Sequence, residues 1–512
     1  MKTQFTWLMM CMVLALTACN DSSVTDINNA SSDTNANPVV LSLCNDALDD
    51  TVNTKPVSSG ACSQTADTDC ETSHFIGGAV INNATPLMLM ESTSGQKVTI
   101  DAASCQQTEF EFQVVPAHYT DGFQISIKDN AQNCTVTDAS GVYTGFPNVA
   151  AKIQCPDEAG TRYSGNPVVR DQYVADPTAI TVGDYLYVYA GKDETSLFDI
   201  ESERCGNLVG CALEMLELNG GFDITGYHVY RTNNMVDWEY VAPALQVDDV
   251  PWMPQSWAGH VIEHDSKYYL YTSTPVYEIN YVGYVLDFFK FLKLPNGPRA
   301  SVGVAVSDTP EGPFVDIGQP LIKWGTPGTI NSVMDPAAFV DDDGRAYLFY
   351  GGGGKAQYVE LNDNMVSHDG NFKDIVGVNG SNPIPDFVEG VYIHKRGDRY
   401  YMSYSKSSFG KDPDGLAYAT ADNIDGPWTF QGEFLDDVGI MTNHSAIVNF
   451  KGEDYLLYHN GRLPGIHSKH DVAGDGMKSL ATRALAVEKL SYDSNGNINY
   501  VEQTELGVPA RP

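Results

Sequence analysis

The chain has 512 residues and carries 30 Lys and Arg against 66 Asp and Glu, a formal net charge of −36 at pH 7. Charge of that sign argues against nucleic acid and anionic lipid headgroups as partners and disfavours a polyanionic substrate; a neutral polymer fits better, and the charge equally serves solubility without any partner. The length accommodates two or three domains.

The N-terminus opens Met1-Lys2-Thr3 and continues through an apolar run to Leu16-Thr17-Ala18-Cys19. A basic start, a short apolar core and a small residue before the cut predict a secretory signal over residues 1–19. The run is too short to cross a membrane as a helix. Its last four residues resemble a bacterial lipobox, so Cys19 is expected to be lipidated and to hold the exported protein to the cell envelope. That lipid is the one expected membrane contact. Residues 20–39 are rich in Asn, Asp, Ser and Thr and read as a flexible tether.

Residues 40–158 predict a small β-rich module, with alternation visible in Glu109–Val115 and Gly122–Lys128. A sugar-binding role and a spacer role are both open, and no motif decides between them. With Cys11 and Cys19 set aside, an even number of cysteines remains, which in an exported chain predicts disulfides. Cys44, Cys62, Cys70, Cys105, Cys134 and Cys155 lie in or before this module with their pairing open. Cys205 and Cys211 are near enough to close a small loop, and no zinc-type spacing occurs.

Residues 159–512 repeat one unit. Aromatic-rich strands after a polar turn stand at 183–191, 266–273, 344–351, 397–405 and 452–459. A second strand follows each, at 227–231, 302–306, 357–361, 415–419 and 483–487. Three copies run on into a short aromatic strand, at Val236–Tyr240, Gly312–Asp316 and Gly426–Phe430. Five such units at irregular spacings of roughly 55–85 residues predict an all-β chain whose larger part is a five-bladed β-propeller. Two insertions, 195–224 and 276–299, are expected as rim loops over one face.

Upstream of each aromatic strand stands a polar residue beside a small or turn-forming one: Asp176-Pro177, Gly259-His260, Asp335-Pro336, Glu389-Gly390 and His444-Ser445. Inner strands of a propeller meet at one axis, so Asp176, Asp335, Glu389, His260 and His444 are expected at one mouth. Glu389 lies between Phe387-Val388 and Val391-Tyr392. A carboxylate in an apolar run must find a partner or keep its proton, and a protonated Glu is what a general acid must be. Two carboxylates across a glycosidic bond suffice for hydrolysis, and a third raises the acid's pKa and orients it. Trp257, Tyr163 and Phe409 are aromatic residues suited either to stacking on sugar or to core packing.

These stretches, in order, resemble glycoside hydrolase family 43 over about 160–505. The resemblance rests on Asn166-Pro167 with Ala175-Asp176-Pro177, Gly191-Lys-Asp-Glu194, Trp257-Ala-Gly-His260 and Met334-Asp335-Pro336 with Asp341-Asp-Asp-Gly344. It continues through Phe387-Val-Glu389-Gly390 with His394-Lys395, Asn443-His444-Ser445, and Arg483 before Val487-Glu-Lys-Leu490. It implies an inverting glycosidase with Asp176 as general base, Asp335 as pKa modulator and Glu389 as general acid. It also implies substrate contacts from Trp257, His260 and Arg483, and a structural calcium ion beside His444 at the axis. No organic cofactor is implied. The nearest subgroups are β-xylosidases and α-L-arabinofuranosidases acting on plant or algal hemicellulose, with arabinan- and galactan-active members as alternatives. Two departures stand near the expected mouth: Gly259, where many relatives have Pro, and Val391-Tyr392, where Pro-Trp is common. A retaining fructan-active enzyme is disfavoured because its Asn-Asp-Pro-Asn-Gly, Arg-Asp-Pro and Glu-Cys signatures are missing. A sugar-binding protein with a dead propeller is expected to have lost one of the three carboxylates, and all three are here.

Overall fold

The computed structural model describes residues 74–114, 122–142, 148–193, 224–276, 299–378, 385–406, 415–440, 442–461 and 483–511. Cys19 and the signal stretch, the tether, Cys44, Cys62, Cys70, the Cys205/Cys211 loop, the body of the second insertion and Phe409 lie outside them. The described residues are all-β, without an α-helix among them. They fall within one compact unit spanning 55–512.

The N-terminal region forms β1 (His74–Asn83), β2 (Leu87–Glu91), β3 (Lys97–Ile100), β4 (Ala103–Val114), β5 (Gly122–Lys128), β6 (Thr135–Thr137), β7 (Ser140–Val142) and β8 (Asn148–Gln154). They make two sheets, ordered β4-β1-β8-β6 and β3-β2-β5-β7. Alternate residues such as Phe123 and Ile125 point into a core shared with Ile76, Val80, Leu89, Phe110, Phe112 and Ile153. Cys134 pairs with Cys155, and Cys105 is also disulfide-bonded.

Five antiparallel meanders follow. The first contains β9 (Tyr173–Val182), β10 (Tyr185–Asp193), β11 (Ile224–Thr232) and β12 (Glu239–Gln246). The second contains β13 (Trp257–His264), β14 (Lys267–Pro275), β15 (Ala300–Ser307) and β16 (Val315–Asp316). The third contains β17 (Ala337–Val340), β18 (Ala346–Gly352), β19 (Lys355–Leu361) and β20 (Lys373–Asp374). The fourth contains β21 (Phe387–Arg396), β22 (Arg399–Lys406), β23 (Gly415–Ala421) and β24 (Thr429–Leu435). The fifth contains β25 (Ser445–Phe450), β26 (Glu453–Asn460) and β27 (Ala484–Leu490).

The period of two in the aromatic strands sets the packing. On β10, Tyr187 and Tyr189 share a core with Leu270 of the second sheet, whereas Leu186, Val188 and Ala190 face a core with Leu456, Tyr458 and Leu485 of the fifth. Each sheet is thus apolar on both faces because each is packed between two others. The first strand of each sheet packs on the first strand of the next, and β25 packs on β9. The stretch before β9 binds the last strand and the tail: Val168 N–H donates to the Leu485 carbonyl, Val174 N–H to Arg483, and Asn166 N–H to Glu505. The Asn166 side chain donates to the Val487 carbonyl at 3.1 Å and accepts its N–H at 3.0 Å.

The N-terminal sheets dock directly on that same stretch. Gln107 donates to the Asn166 carbonyl at 3.0 Å, Lys152 to Val168 at 3.3 Å and Gln154 to Tyr163 at 2.9 Å. Arg170, itself buried, pairs with Glu109 at 2.7 Å. Burial lowers Lys152 to about 8, so this contact buries polar groups that are matched residue by residue. Tyr163 is buried in it and not available to stack on a sugar.

All three outer strands begin later than their aromatic signal predicts, β12 at Glu239, β16 at Val315 and β24 at Thr429. Trp238 donates its Nε1–H to the Met235 carbonyl, and the Trp428 ring is sunk in the core while its backbone N–H donates to the Val376 carbonyl. These rings anchor the turn before the strand. Strand β20, Lys373–Asp374, has no aromatic or branched residue and gave no sequence signal.

Candidate active site

Each sheet offers one residue at the beginning of its first strand. Asp176 and Glu389 sit on β9 and β21, His260 on β13, and Asp335 and His444 just ahead of β17 and β25. Three of these strands are bent locally. Asp176 and Asp335 adopt φ of 53° and 52°, and Gly390, directly after Glu389, adopts 69°. The β9–β10 and β21–β22 ladders shift register at these points. A bulge takes a side chain out of strict alternation and re-aims it, which carries a carboxylate away from the apolar faces. Gly390 is required twice over: its φ is left-handed, and a Cβ there would lie 3.2 Å from the Asn443 carbonyl and 3.3 Å from His444 Nδ1.

The structure joins Asp335 to the Glu389 bulge through a hydrogen bond. Gly390 N–H donates to Asp335 Oδ2 at 2.9 Å. Glu389 itself is partly exposed, whereas Asp335 and Asp176 are buried. Asp176 is held from another direction. Arg483 Nη1 donates to both its oxygens, at 3.1 and 3.0 Å. The same guanidinium grips Asp193 through Nε at 2.9 Å and Nη2 at 2.7 Å. Arg483, expected against substrate hydroxyls, is therefore enclosed between two carboxylates of the first sheet.

Asp193 and His459 complete this cluster and were not singled out from sequence. Asp176 N–H donates to His459 Nδ1 at 3.0 Å, and His459 Nε2–H donates to the Thr442 carbonyl at 2.8 Å. An Nδ1 that accepts carries no proton, so the ring is the neutral Nε2–H tautomer, in keeping with burial that pushes its pKa to about 3. Asp193 lies in the Gly191-Lys-Asp-Glu motif, a signal that was visible without its partner. His459 ends an aromatic strand and carried none.

Electrostatics separates the two buried aspartates. Burial is the largest influence on Asp176 and opposes its ionisation, but the charge and hydrogen bonds of Arg483 together with the neighbouring imidazoles outweigh it and hold its pKa below the usual carboxylate range. Burial raises Asp335, and the negative charge of Asp176 raises it further. One carboxylate is thus kept charged and its neighbour is kept protonated. His260 is buried and pushed down to about 3, with its ring 5.4 Å from Tyr392. Burial also lowers His444. Both are buried, neutral imidazoles.

Trp257 is partly exposed at the start of β13, with Nε1 donating to Gln255 Oε1 at 3.3 Å. Its carbonyl accepts the Tyr227 hydroxyl. Gly259 makes room for that tyrosine, since a Cβ there would lie 2.8 Å from the ring. Tyr392 turns inward, its hydroxyl on the Ile447 carbonyl at 2.9 Å, so this departure from the family pattern is a packing residue.

Calcium takes six to eight oxygen ligands. No group of three or more His, Cys, Asp or Glu side chains among the described residues is arranged to hold a metal. His444 offers a nitrogen, and Asp176 and Asp335 are spent on Arg483 and Gly390. These residues do not fit a calcium cage built from protein side chains.

The raised pKa of Asp335 makes a stability prediction. In the unfolded chain this carboxyl ionises near its ordinary value of about 3.9, while the folded state keeps the proton, so stability is lost as pH rises from there through the folded pKa. Asp335→Asn keeps an oxygen acceptor for Gly390 N–H and removes the titration. Its Tm should exceed that of the wild type at pH 7 by a few degrees and lose that advantage near pH 4, measured by thermal melts. A variant less stable than wild type at both pH values would contradict the protonated state.

Asp176, Asp335 and Glu389 thus stand at or just ahead of the first strands of three sheets, two of them buried and the third partly exposed. The chain belongs to the glycosyl hydrolases family 43, whose model matches residues 164–498. It is 29% identical over 375 residues to a β-xylosidase of Xylanibacter ruminicola, covering 65% of this chain and 98% of that one. It is 29% identical over 373 residues to a xylosidase/arabinosidase of Bacteroides ovatus, covering 65% of this chain and 97% of that one. Among solved structures it resembles a β-xylosidase/α-arabinofuranosidase from a compost microbial metagenome, in complex with xylotriose and calcium-free. That likeness has 28% identity and a TM-score of 0.50, and covers 66% of this chain and 98% of the other.

Proposed function

We propose that the protein is an inverting exported glycosidase that removes β-xylosyl or α-L-arabinofuranosyl units from hemicellulose-type oligo- and polysaccharides. The observation that carries the reading is geometric: Arg483 holds both oxygens of Asp176, and Asp335 accepts the backbone N–H beside Glu389. In this reading the five meanders are the blades of a propeller, and their first strands surround its axis. Asp176, ionised by Arg483, takes the proton of an attacking water. Glu389 protonates the leaving oxygen. Asp335 fixes the Glu389 bulge and shares its charge environment. Trp257 stacks on the sugar, His260 lines the floor, and Arg483 acts through Asp176. Residues 40–158 are a docked module and 159–512 the catalytic domain. A calcium ion beside His444 would be held partly through water. No step depends on it.

The test is hydrolysis of nitrophenyl β-xyloside and nitrophenyl α-L-arabinofuranoside. Turnover of either supports the reading. Turnover of neither, with cleavage of arabinan or galactan, assigns the arabinanase or galactan-active alternative. Binding of xylo-oligosaccharides without any turnover would make the protein a surface sugar binder.

Localisation is proposed from Cys19. Cys19→Ser should shift the protein from the membrane fraction to the soluble fraction of a bacterial host, read by immunoblot. A wild type already soluble after export would remove the lipoprotein reading.

A further inference from the structure

Five tryptophans lie among the described residues, and they divide into two kinds. Trp238, Trp252 and Trp428 are packed in or against the hydrophobic cores. Trp257 and Trp324 belong to none of those cores, and both are partly exposed. Trp257 already stands at the catalytic mouth. The register of the second sheet shows where Trp324 stands relative to it.

Trp257 pairs with Ser273, Ser273 with Val302, and Val302 with Ile322. That row crosses the sheet from the inner strand outward. Three steps of about 4.7–4.9 Å put Ile322 roughly 14 Å from the inner strand. Ile322 runs antiparallel to Val302, so Trp324 is level with Ala300, the first residue of β15, at the sheet end where β13 begins. Its N–H donates to Ser301 Oγ at 2.9 Å, which fixes that level. From there the chain loops back to the start of β15. Ala300 bridges Ser332 in parallel, and three residues on is Asp335. Trp324 and Trp257 therefore mark the outer and inner ends of one track across the same end of the second sheet.

Trp324 is also held in a fixed pose. Its Nε1 donates to Asn331 Oδ1 at 3.1 Å, and the Arg299 guanidinium lies over its ring, 4.8 Å from the centroid. Arg299 is itself partly exposed. A braced, partly exposed indole beside a guanidinium rich in N–H donors suits a neutral ring with an apolar face and hydroxyl edges. A strongly acidic chain leaves such a neutral ligand unopposed.

We propose that Trp324, braced by Arg299, is a second sugar platform that takes the distal part of a pentose oligosaccharide whose scissile bond lies at Asp176 and Glu389. This rests on the glycosidase reading above and adds a preference for chain length to it. Small aryl glycosides end before the platform and do not use it.

The experiment compares kcat/KM on the nitrophenyl glycoside, the disaccharide and the tetrasaccharide of whichever pentose the wild type releases. Trp324→Ala should lose about tenfold on the tetrasaccharide, through KM, and be unchanged on the nitrophenyl glycoside. Trp324→Phe should keep most of the wild-type advantage. Equal losses on all three substrates, or a length advantage that survives in Trp324→Ala, would overturn the platform while leaving the glycosidase reading intact. If the wild type cleaves no pentoside, that reading falls by itself, and the platform is read from xylotetraose quenching of tryptophan fluorescence. Quenching that weakens in Trp324→Ala supports it, and identical titrations refute it.

Discussion

Glu389→Gln should reduce turnover of natural pentosides by about 10²–10⁴-fold, the range of a lost general acid. The residue sits on a bulge set by Gly390 and held by Asp335, so the amide can occupy the same position without rebuilding the strand. The loss should shrink greatly on a dinitrophenyl glycoside, whose leaving group departs without a proton. KM should change little, because the removed interaction is made in the transition state. Equal losses on oligosaccharide and dinitrophenyl glycoside, measured side by side, would remove Glu389 from the acid role and turn attention to Asp335.

The repeat and the residues that begin it were legible because each strand depends on its own neighbours. An aromatic strand after a polar turn reads the same in five places, and Tyr187, Tyr271, Tyr350, Tyr404 and Tyr458 all fall in strands of the meanders. Asp176, Asp335 and Glu389 stood out by their position in that repeat. What stayed hidden depends on pairs far apart in sequence. His459 meets Asp176 across 283 residues and Arg483 meets Asp193 across 290. His459 has no unusual local context, and the motifs around Asp193 and Arg483 do not name each other as partners, so only closure of the fifth sheet on the first reveals the pairs. The same holds for Glu109 and Arg170, each an ordinary polar residue until β4 meets the stretch before β9 and the arginine is buried. Two of the outer strands were misplaced by Trp238 and Trp428, whose rings signal β-structure but serve the turn. The path of the second sheet's outer edge toward Asp335, which gives Trp324 its place, depends on ladder register that no single stretch encodes.

Asp176→Ala should abolish turnover of oligosaccharide and dinitrophenyl glycoside alike, by about 10²–10⁴-fold or more, since an activated leaving group does nothing for an attacking water that has lost its base. That symmetry is what distinguishes base from acid. The wild type gives the complementary measurement. Asp176 comes from the first meander and Glu389 from the fourth, and β25 stands between their strands where the fifth packs on the first. An inverting pair needs about 6.5–9.5 Å between carboxyl groups to admit water, whereas a retaining pair sits at about 5–5.5 Å. Proton NMR of the first-formed sugar should therefore show the anomer opposite to the one cleaved. The pH profile adds a third check. Arg483 holds Asp176 below the usual carboxylate range, so the base stays active well into acid and is lost only as pH falls through that depressed pKa. Arg483→Lys, which keeps a charge but loses the fork shared with Asp193, should move the acidic limb of kcat/KM to higher pH. A first product of retained configuration would make Asp176 a nucleophile. An acidic limb that does not move in Arg483→Lys would mean that another group titrates there.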